Sequence, residues 1–476
     1  MTATLGHPPG GAHALLGEAL PSAAGPAPDD GAALRPPPVA SVPRALVALR
    51  FSVRQVPFLF GLRRRLGETF AVRFPHPLRY GDDTTNFVTH PDHVRSLFTA
   101  PELALSTVAE SAIRPIVGTD TVLTAVGPRH MRQRRLLLPS FHGDAVARFT
   151  QMIVDVADRE IDSWPVGRPF PLAPRTQAIT LDVIMAGIFG VPDGRPARGT
   201  PEHKLRSDIV RLTRLSATPA GQLAELTLIG RDRPMGVVRL LIDQLERHLS
   251  QVIGAARRRD TTQSADVLSL LLAARDEDGE PMSEPELRRE LLTLVLAGHE
   301  TTANSLAWSF ERLLRNPAAY DRLREEVRGD GEDAAAWVDA TIHETMRNRP
   351  VIPITTRRVQ VPWQLGEFRV PAGSHVMVPI SLLHHREDLY PDPFSYRPER
   401  FYGVRPGTYT WVPFGGGIRR CLGATLAMAE QRVVLRAIAR RTDMLAPDPR
   451  PEGLIQRNVT MIPAQGARVL VTARRP

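Results

Sequence analysis

From Pro43 to about Arg347 apolar positions recur every three or four residues, the spacing of helices that bury one face. One helix stands out. Ser283-Glu284-Pro285-Glu286 reads as a capping box with proline in the first turn, and the pattern runs on to Arg315, where Asn316-Pro317 stops it. That is roughly 30 residues, about 45 Å at 1.5 Å per residue, enough to cross a whole domain. Between Val351 and Pro398 the period changes. Val359–Leu365, Phe368–Val370 and His375–Ile380 read as short strands, with Pro371-Ala372-Gly373 as a turn. A helix follows Cys421, its buried face marked by Leu422, Leu426, Ala429, Val433 and Ala437, and Ala467–Thr472 reads as a closing strand. Residues 1–42 are rich in Pro, Gly and Ala with little to bury, which predicts a flexible leader. The expectation is a mainly α fold with a small β-rich portion (α+β), one large helical domain over 43–476.

Charge adds little to this picture. The net charge of +9 is carried almost wholly by arginine, and the arginines are spread along the chain. There is no basic tail, zinc-ligand spacing or aromatic RNA-binding signature, so nucleic-acid binding rests on charge alone and is not expected. An acidic protein partner is the more specific use for such a surface. No segment approaches the ~18 unbroken apolar residues of a membrane span. The N-terminus has no basic n-region, and its best apolar stretch, Ala12 to Ala19, is broken by Glu18. Neither a secretory signal nor a transmembrane anchor is predicted. A single cysteine fits a reducing, cytoplasmic location.

That cysteine carries the chemistry. Residues Phe414 to Gly423 read Phe-Gly-Gly-Gly-Ile-Arg-Arg-Cys-Leu-Gly. Cys421 cannot form an internal disulfide or join a multi-thiolate metal site. Gly415, Gly416 and Gly417 free the backbone to approach a flat ligand, and Arg419 and Arg420 bring charge that lowers a thiol pKa or binds carboxylates. A helix start favours thiolate as well. Elsewhere, the middle of the long helix is weak where its ends are strong. Ala297-Gly298-His299-Glu300-Thr301-Thr302 includes a glycine worth about 1 kcal/mol against alanine, and threonines that bond back to the preceding turn. A weak spot inside a well-capped helix points to function.

The Cys421 run resembles the haem-binding loop of the cytochrome P-450 family, Phe-x-x-Gly-x-Arg-x-Cys-x-Gly, at Phe414, Gly417, Arg419, Cys421 and Gly423. Three weaker motifs follow the family's order. Ala297 to Thr302 resembles its oxygen-activation motif. Glu344 and Arg347, three apart on one helix face, resemble its Glu-x-x-Arg pair, with Arg400 of Pro398-Glu399-Arg400-Phe401 as the third partner. His130 and Arg134, four apart, resemble the helix set against the haem propionates, and Arg357 or its neighbour Arg358 matches a further propionate arginine. Glu300 stands where many relatives have Asp, and Pro362-Trp363 falls in a stretch often acidic in them.

The resemblance implies a soluble, bacterial-type monooxygenase with Cys421 as axial thiolate on the iron of haem b. His130, Arg134, Ala297, Gly298, Arg357, Phe414, Gly415, Arg419 and Gly423 would lie around the cofactor, with Arg419 on a propionate. Thr301 would position bound oxygen and its waters in a groove that Gly298 opens, while Glu300 relays protons. Electrons would come singly from a ferredoxin or flavodoxin with its reductase, docking on a basic face of Arg135, Arg420, Arg432, Arg436 and Arg440. The enzyme would be a monomer acting on dioxygen and a hydrophobic small molecule such as a terpenoid, fatty acyl or polyketide. Its pocket walls would be Pro101 to Val126, Ser207 to Val237, Leu291 to Ala297, Val351 to Thr355 and Thr460 to Gly466. A peroxide-using peroxygenase or an isomerase-like relative is the alternative within haem-thiolate chemistry. From another class, Cys421 would be a nucleophile paired with His130 or His299.

Overall fold

The computed structural model describes residues 34–475 apart from 76–83, 107–112, 142, 227, 229–230, 260–265 and 330–333. Most of the predicted leader, and parts of two predicted pocket walls (107–112, and 227 with 229–230), therefore lie outside the described residues.

The long helix, Glu284–Leu313, organises the molecule. Ser283 N–H donates to Glu286 Oε2 at 3.0 Å, closing the capping box, and the next helix starts at Pro317. Its two halves are buried in different clusters. Leu287, Leu291, Leu292 and Val295 pack with Leu181, Met185 and Ile188 of the helix Ala173–Phe189 and with Leu245 and Leu249 of Gly236–Arg257. Leu306, Ala307, Phe310 and Leu313 pack with Ile153 and Val156 of Asp144–Asp162 and with Val434, Leu435 and Ile438 of Ala424–Arg441. The seam between the clusters falls on residues 297–301. Ala297 is exposed, and Gly298, Glu300 and Thr301 are half-buried, in a helix otherwise at the heart of the core.

A five-stranded sheet lies beside the helices in the order Thr69–Arg73, Thr84–Val88, His375–Pro379, Ile354–Val359, Leu105–Ser106. The central pairing is parallel, Thr85 opposite His375 and Phe87 opposite Met377. Thr69–Arg73 and Thr84–Val88 correct the expectation of helix throughout 43–347; they are short, they pair with each other, and the second also pairs with a strand in the last quarter of the chain. The predicted strand 359–365 divides. Ile354–Val359 belongs to the large sheet, while Trp363–Leu365 pairs with Phe368–Val370 as a separate hairpin. Pro362, which has no N–H for a ladder, sits at the break. The closing strand is Arg468–Arg474, flanked by Phe170–Pro171 and Thr442–Leu445.

Two segments differ from expectation at the N-terminal side. Residues 34–42 run extended along the sheet, with Ala40 N–H on Ala71 O at 2.8 Å and Arg35 bridged to Phe368. Arg44–Leu66 is the one described helix long and apolar enough, by length and composition, to cross a membrane. It is broken at Arg54 and carries Pro57, and it packs Val47, Phe58, Leu59 and Leu62 into a core cluster with Phe70 and Phe87.

Glu344 and Arg347 are fully buried. Arg347 donates to Glu344 at 2.6 Å from Nε and 2.8 Å from Nη2, and its Nη1 reaches the carbonyls of His384 and Pro393, each at 2.8 Å. Arg400 Nε stands 3.6 Å from the same carboxylate, and Arg397 N–H donates to it at 2.8 Å. This cluster ties the helix Ala334–Asn348 to the irregular chain that leads into the Cys421 loop.

Candidate functional site

The loop before Cys421 is held by its glycines. Gly415 and Gly417 have φ of 65° and 64°, which glycine adopts without strain. A Cβ on Gly417 would lie 1.8 Å from Phe98 O, and one on Gly416 would lie 2.2 Å from the Phe98 ring. The loop therefore closes tightly on the end of the helix Pro91–Thr99. Cys421 N–H donates to Phe414 O at 2.9 Å, and Gly423 caps the helix Ala424–Arg441. That helix is most buried along Gln431, Val434, Leu435 and Ile438, whereas the expected face from Leu422 to Ala437 is half-buried. It is wedged between the two clusters, with Leu426 touching both. Ser305 Oγ donates to Gln431 Oε1 at 2.6 Å, pinning it one turn beyond Thr301 on the central helix.

Cys421 is exposed by surface area, yet burial is the largest influence on its thiol and pushes the pKa up. The sulfur thus opens into a space lined by protein. Gly423 N–H, Arg134 and Arg420 pull the pKa down by less. This corrects the expectation of a lowered thiol pKa: desolvation wins, and the helping charges come from Arg134 and Arg420 rather than Arg419. His299 is bound to the Gln177 carbonyl and His130 to Glu102; among the described residues no histidine bonds to the sulfur. The pair needed for a cysteine nucleophile is not assembled.

Around this space the predicted cations gather. His130 lies on the helix Pro128–Leu137, and burial with the charges of Arg134 and Arg357 pushes its pKa down to about 4. Its neutral ring donates Nδ1–H to Glu102 at 3.0 Å, both side chains being buried. Arg419 pairs with the other Glu102 oxygen and donates to Val122 O at 3.2 Å and to Ala125 O; burial pushes its pKa down to about 9. Its Nε is buried without a partner. Arg357 is buried, its pKa pushed down to about 10, and among the described residues no carboxylate pairs with it. It bonds Thr355 Oγ1 and Thr356 O. Arg134 is partly desolvated, Cys421 and Arg420 being its charged neighbours.

At the helix seam, Thr301 Oγ1 donates to Ala297 O at 2.7 Å, the back-bond expected of threonine there. A Cβ on Gly298 would meet Ile184 Cδ1 at 3.4 Å, an ordinary packing contact. Thr180 and Thr176, from the helix that carries Ile184, donate to His299 O and Ala303 O, each at 2.9 Å. Glu300 pairs with Arg457, at 2.6 Å to Nε, both side chains less than one-sixth exposed. Arg457 ends the strand Leu454–Arg457, which forms a hairpin with Thr460–Pro463.

Three acids that sequence reasoning missed complete the surroundings. They are Glu102, Glu290 and Glu430. Glu290, on the central helix, accepts from Val122 N–H at 2.8 Å, so the loop 118–126 is held by Glu290 on one side and Arg419 on the other. Burial pushes the carboxyls of Glu290 and Glu430 up to about 8. On the outer face, Arg135 pairs with Glu277 and Arg432 with Asp339, which removes two charges from the expected basic stripe. Arg420, Arg436 and Arg440 are exposed.

Comparison with known proteins agrees with this arrangement. The sequence profile of the family described as Cytochrome P450 matches residues 36–471. Cytochrome P450 137 of Mycobacterium tuberculosis is 36% identical over 448 residues, covering 92% of this chain and 91% of the relative. Cytochrome P450 135B1 of Mycobacterium bovis is 36% identical over 438 residues, covering 91% and 90%. Among solved structures, the cytochrome P450DA haem domain superposes with a TM-score of 0.76 at 22% identity, over 94% of this chain and 99% of that one. A cyanobacterial CYP120A1 with bound retinoic acid gives 0.76 at 22%, over 93% and 100%. The fold is that of a haem-containing, oxygen-incorporating oxidoreductase. The chain belongs to the cytochrome P450 family, and its general activity is that of a haem-thiolate monooxygenase.

Proposed function

We propose that the chain binds haem b through Cys421 Sγ and inserts one atom of dioxygen into a hydrophobic organic substrate, by hydroxylation or epoxidation. A cytoplasmic monomer receives electrons singly from a ferredoxin or flavodoxin with its reductase. The observation that carries this reading is the setting of Cys421. Its sulfur opens into an enclosed space beside Arg134, at the start of a helix pinned to the weak centre of Glu284–Leu313.

The residues present fit the cofactor. A porphyrin with two carboxylates needs buried cationic donors with capacity to spare; Arg357, which no described carboxylate pairs, and Arg419, whose Nε is free although its guanidinium is paired with Glu102, meet that need. Arg134, between His130 and Cys421, is a third donor. Bound through a thiolate, haem iron supplies the dioxygen and one-electron chemistry, the sulfur's electron donation favouring O–O cleavage. The chain supplies the rest. Thr301 Oγ1, parked on Ala297 O, would turn to offer its hydroxyl to dioxygen or water in the adjacent space. The Glu300 carboxylate, held in place by Arg457, would carry protons inward. Apolar residues of the two clusters shield the site from bulk water. Retention of both Glu300 and Thr301 favours dioxygen over peroxide as the oxidant.

One spectrum tests the reading. The purified protein, reduced under carbon monoxide, is expected to show the red-shifted Soret band of thiolate-ligated haem, and Cys421→Ala to lose it. A colourless protein, or an identical band in the variant, refutes the assignment. A panel of terpenoids, fatty acids and polyketides, scored for a spin-state shift of the haem band, then identifies the substrate class.

A further inference from the structure

We propose that Glu102 is a positioning residue at the propionate end of the haem site: it fixes His130 and Arg419, decides which donors remain for the cofactor, and holds the reduction potential down. The proposal rests on the reading of Cys421 as haem ligand.

A buried carboxylate costs several kcal/mol unless it is paired and hydrogen-bonded. Glu102 is buried; its Oε2 meets His130 Nδ1 and its Oε1 lies in an ion pair with the Arg419 guanidinium without a hydrogen bond of its own. Its backbone is set as well. Ala104 N–H returns to Pro101 O at 2.9 Å, and Gln360 N–H reaches Ala104 O at 2.8 Å, fastening the segment to the sheet. Glu102, Arg357 and Arg419 line one gap with Phe98, Leu105 and Gly416. A single acid therefore sits among the cations expected to face the propionates.

Two consequences follow from donor accounting. A neutral imidazole has one N–H. His130 gives its own to Glu102, so Nε2 carries no proton and cannot donate to a propionate. The role expected for His130 passes to the arginines. Arg419 spends Nη1 and Nη2 on Val122 O, Ala125 O and Glu102, which leaves Nε as its free donor. The propionates are then met by Arg134, Arg357 and Arg419 Nε. Electrostatically, a fixed negative charge in a low-dielectric pocket favours ferric over ferrous iron. Glu102 partly cancels the Arg419 charge that would otherwise act the other way.

The test is a reduction potential measured by spectroelectrochemical titration of the haem-loaded protein. Glu102→Gln keeps the size and an acceptor for His130 but removes the charge. It is expected to shift the one-electron equilibrium toward ferrous by at least about threefold, roughly 30 mV. Glu102→Asp, which keeps the charge, is expected to stay nearer to wild type. An unchanged potential in Glu102→Gln, or equal shifts in both variants, overturns the proposal. A second measurement needs no variant. In the diamagnetic ferrous carbon-monoxide form, the 15N shifts of His130 are expected to show Nδ1 protonated and Nε2 bare near neutral pH; the opposite tautomer or an imidazolium overturns the proposal. The wild-type carbon-monoxide spectrum separates the two claims. Without the red-shifted band the haem-thiolate reading fails and takes this one with it; with the band present, the remaining results judge Glu102 alone.

Discussion

Replacing Glu344 by glutamine tests the buried cluster that carries the Cys421 loop. The carboxylate accepts two bonds from Arg347 and one from Arg397 N–H, with Arg400 3.6 Å away. An amide keeps the shape, loses the charge and sets an NH2 group against guanidinium donors. Breaking a buried pair from one side costs about 3–5 kcal/mol, because the other charge is stranded. Against a typical stability of about 5–15 kcal/mol, that is roughly a fifth or more of the whole. Burial already holds the Glu344 carboxyl above its ordinary pKa, with Arg347 opposing, so removing the acid leaves Arg347 as the costly group. Urea unfolding by far-UV circular dichroism and by the fluorescence of Trp337 and Trp411 measures the change. Trp337 is buried in the same helix, and Trp411 Nε1 sits on His343 O at 3.0 Å. A loss under about 1 kcal/mol refutes the argument. The double variant Glu344→Leu/Arg347→Met sharpens it. If the ion pair were all that mattered, apolar replacement would be nearly neutral. Arg347 also serves the carbonyls of His384, Pro393 and Ser395, so the double variant is expected to lose at least about 3 kcal/mol, at 1–3 kcal/mol per orphaned group. Wild-type stability in the double variant would show those carbonyl bonds to be idle.

Glu290 has a folded-state pKa of about 8 against an ordinary 4.5, so its contribution is full below about 4.5 and is lost as pH rises through 8. Glu290→Gln should remove up to ~1.4 kcal/mol per pH unit of that slope, read as urea midpoints at about pH 5 and about pH 8; parallel slopes refute it. Thr301→Ala should consume reductant while forming at least about tenfold less product, and equal coupling would dismiss the relay. Arg457→Gln, which unclamps Glu300, should lower coupling more than Arg457→Lys does, with the charge-keeping variant as control. Charge reversal at Arg420 and Arg436 should slow reduction by an acidic ferredoxin and flatten its salt dependence, whereas reversal at Arg432, already paired with Asp339, should do less.

The site was legible where local rules set it. The capping box at Ser283 and the stop at Asn316-Pro317 bracket the central helix, and the glycines, arginines and cysteine of 414–423 name their chemistry by type and spacing. The rest depends on partners far along the chain. Glu102 looks like any loop acid until the fold delivers His130 and Arg419 to it. Arg457 is an ordinary hairpin residue whose meaning comes from Glu300, 157 positions earlier. The strands Thr69–Arg73 and Thr84–Val88 carry a weak local signal and owe their state to the sheet. Cys421 shows both sides: its identity gave the ligand type, while its raised pKa follows from burial no local pattern reveals.

The parallel pairing of Thr84–Val88 with His375–Pro379 has a consequence for how the protein is made. Asn86 Nδ2 bonds His375 O across 289 positions, so the sheet's middle cannot close until most of the chain has left the ribosome. The candidate site shares that delay, since Glu102 and His130 wait for Arg419 and Cys421 near the other end. On the proposed reading of Cys421, haem capture would be a late event in biogenesis. Until then Thr69–Arg73 and Thr84–Val88 have, among the strands of the sheet, only each other to pair with.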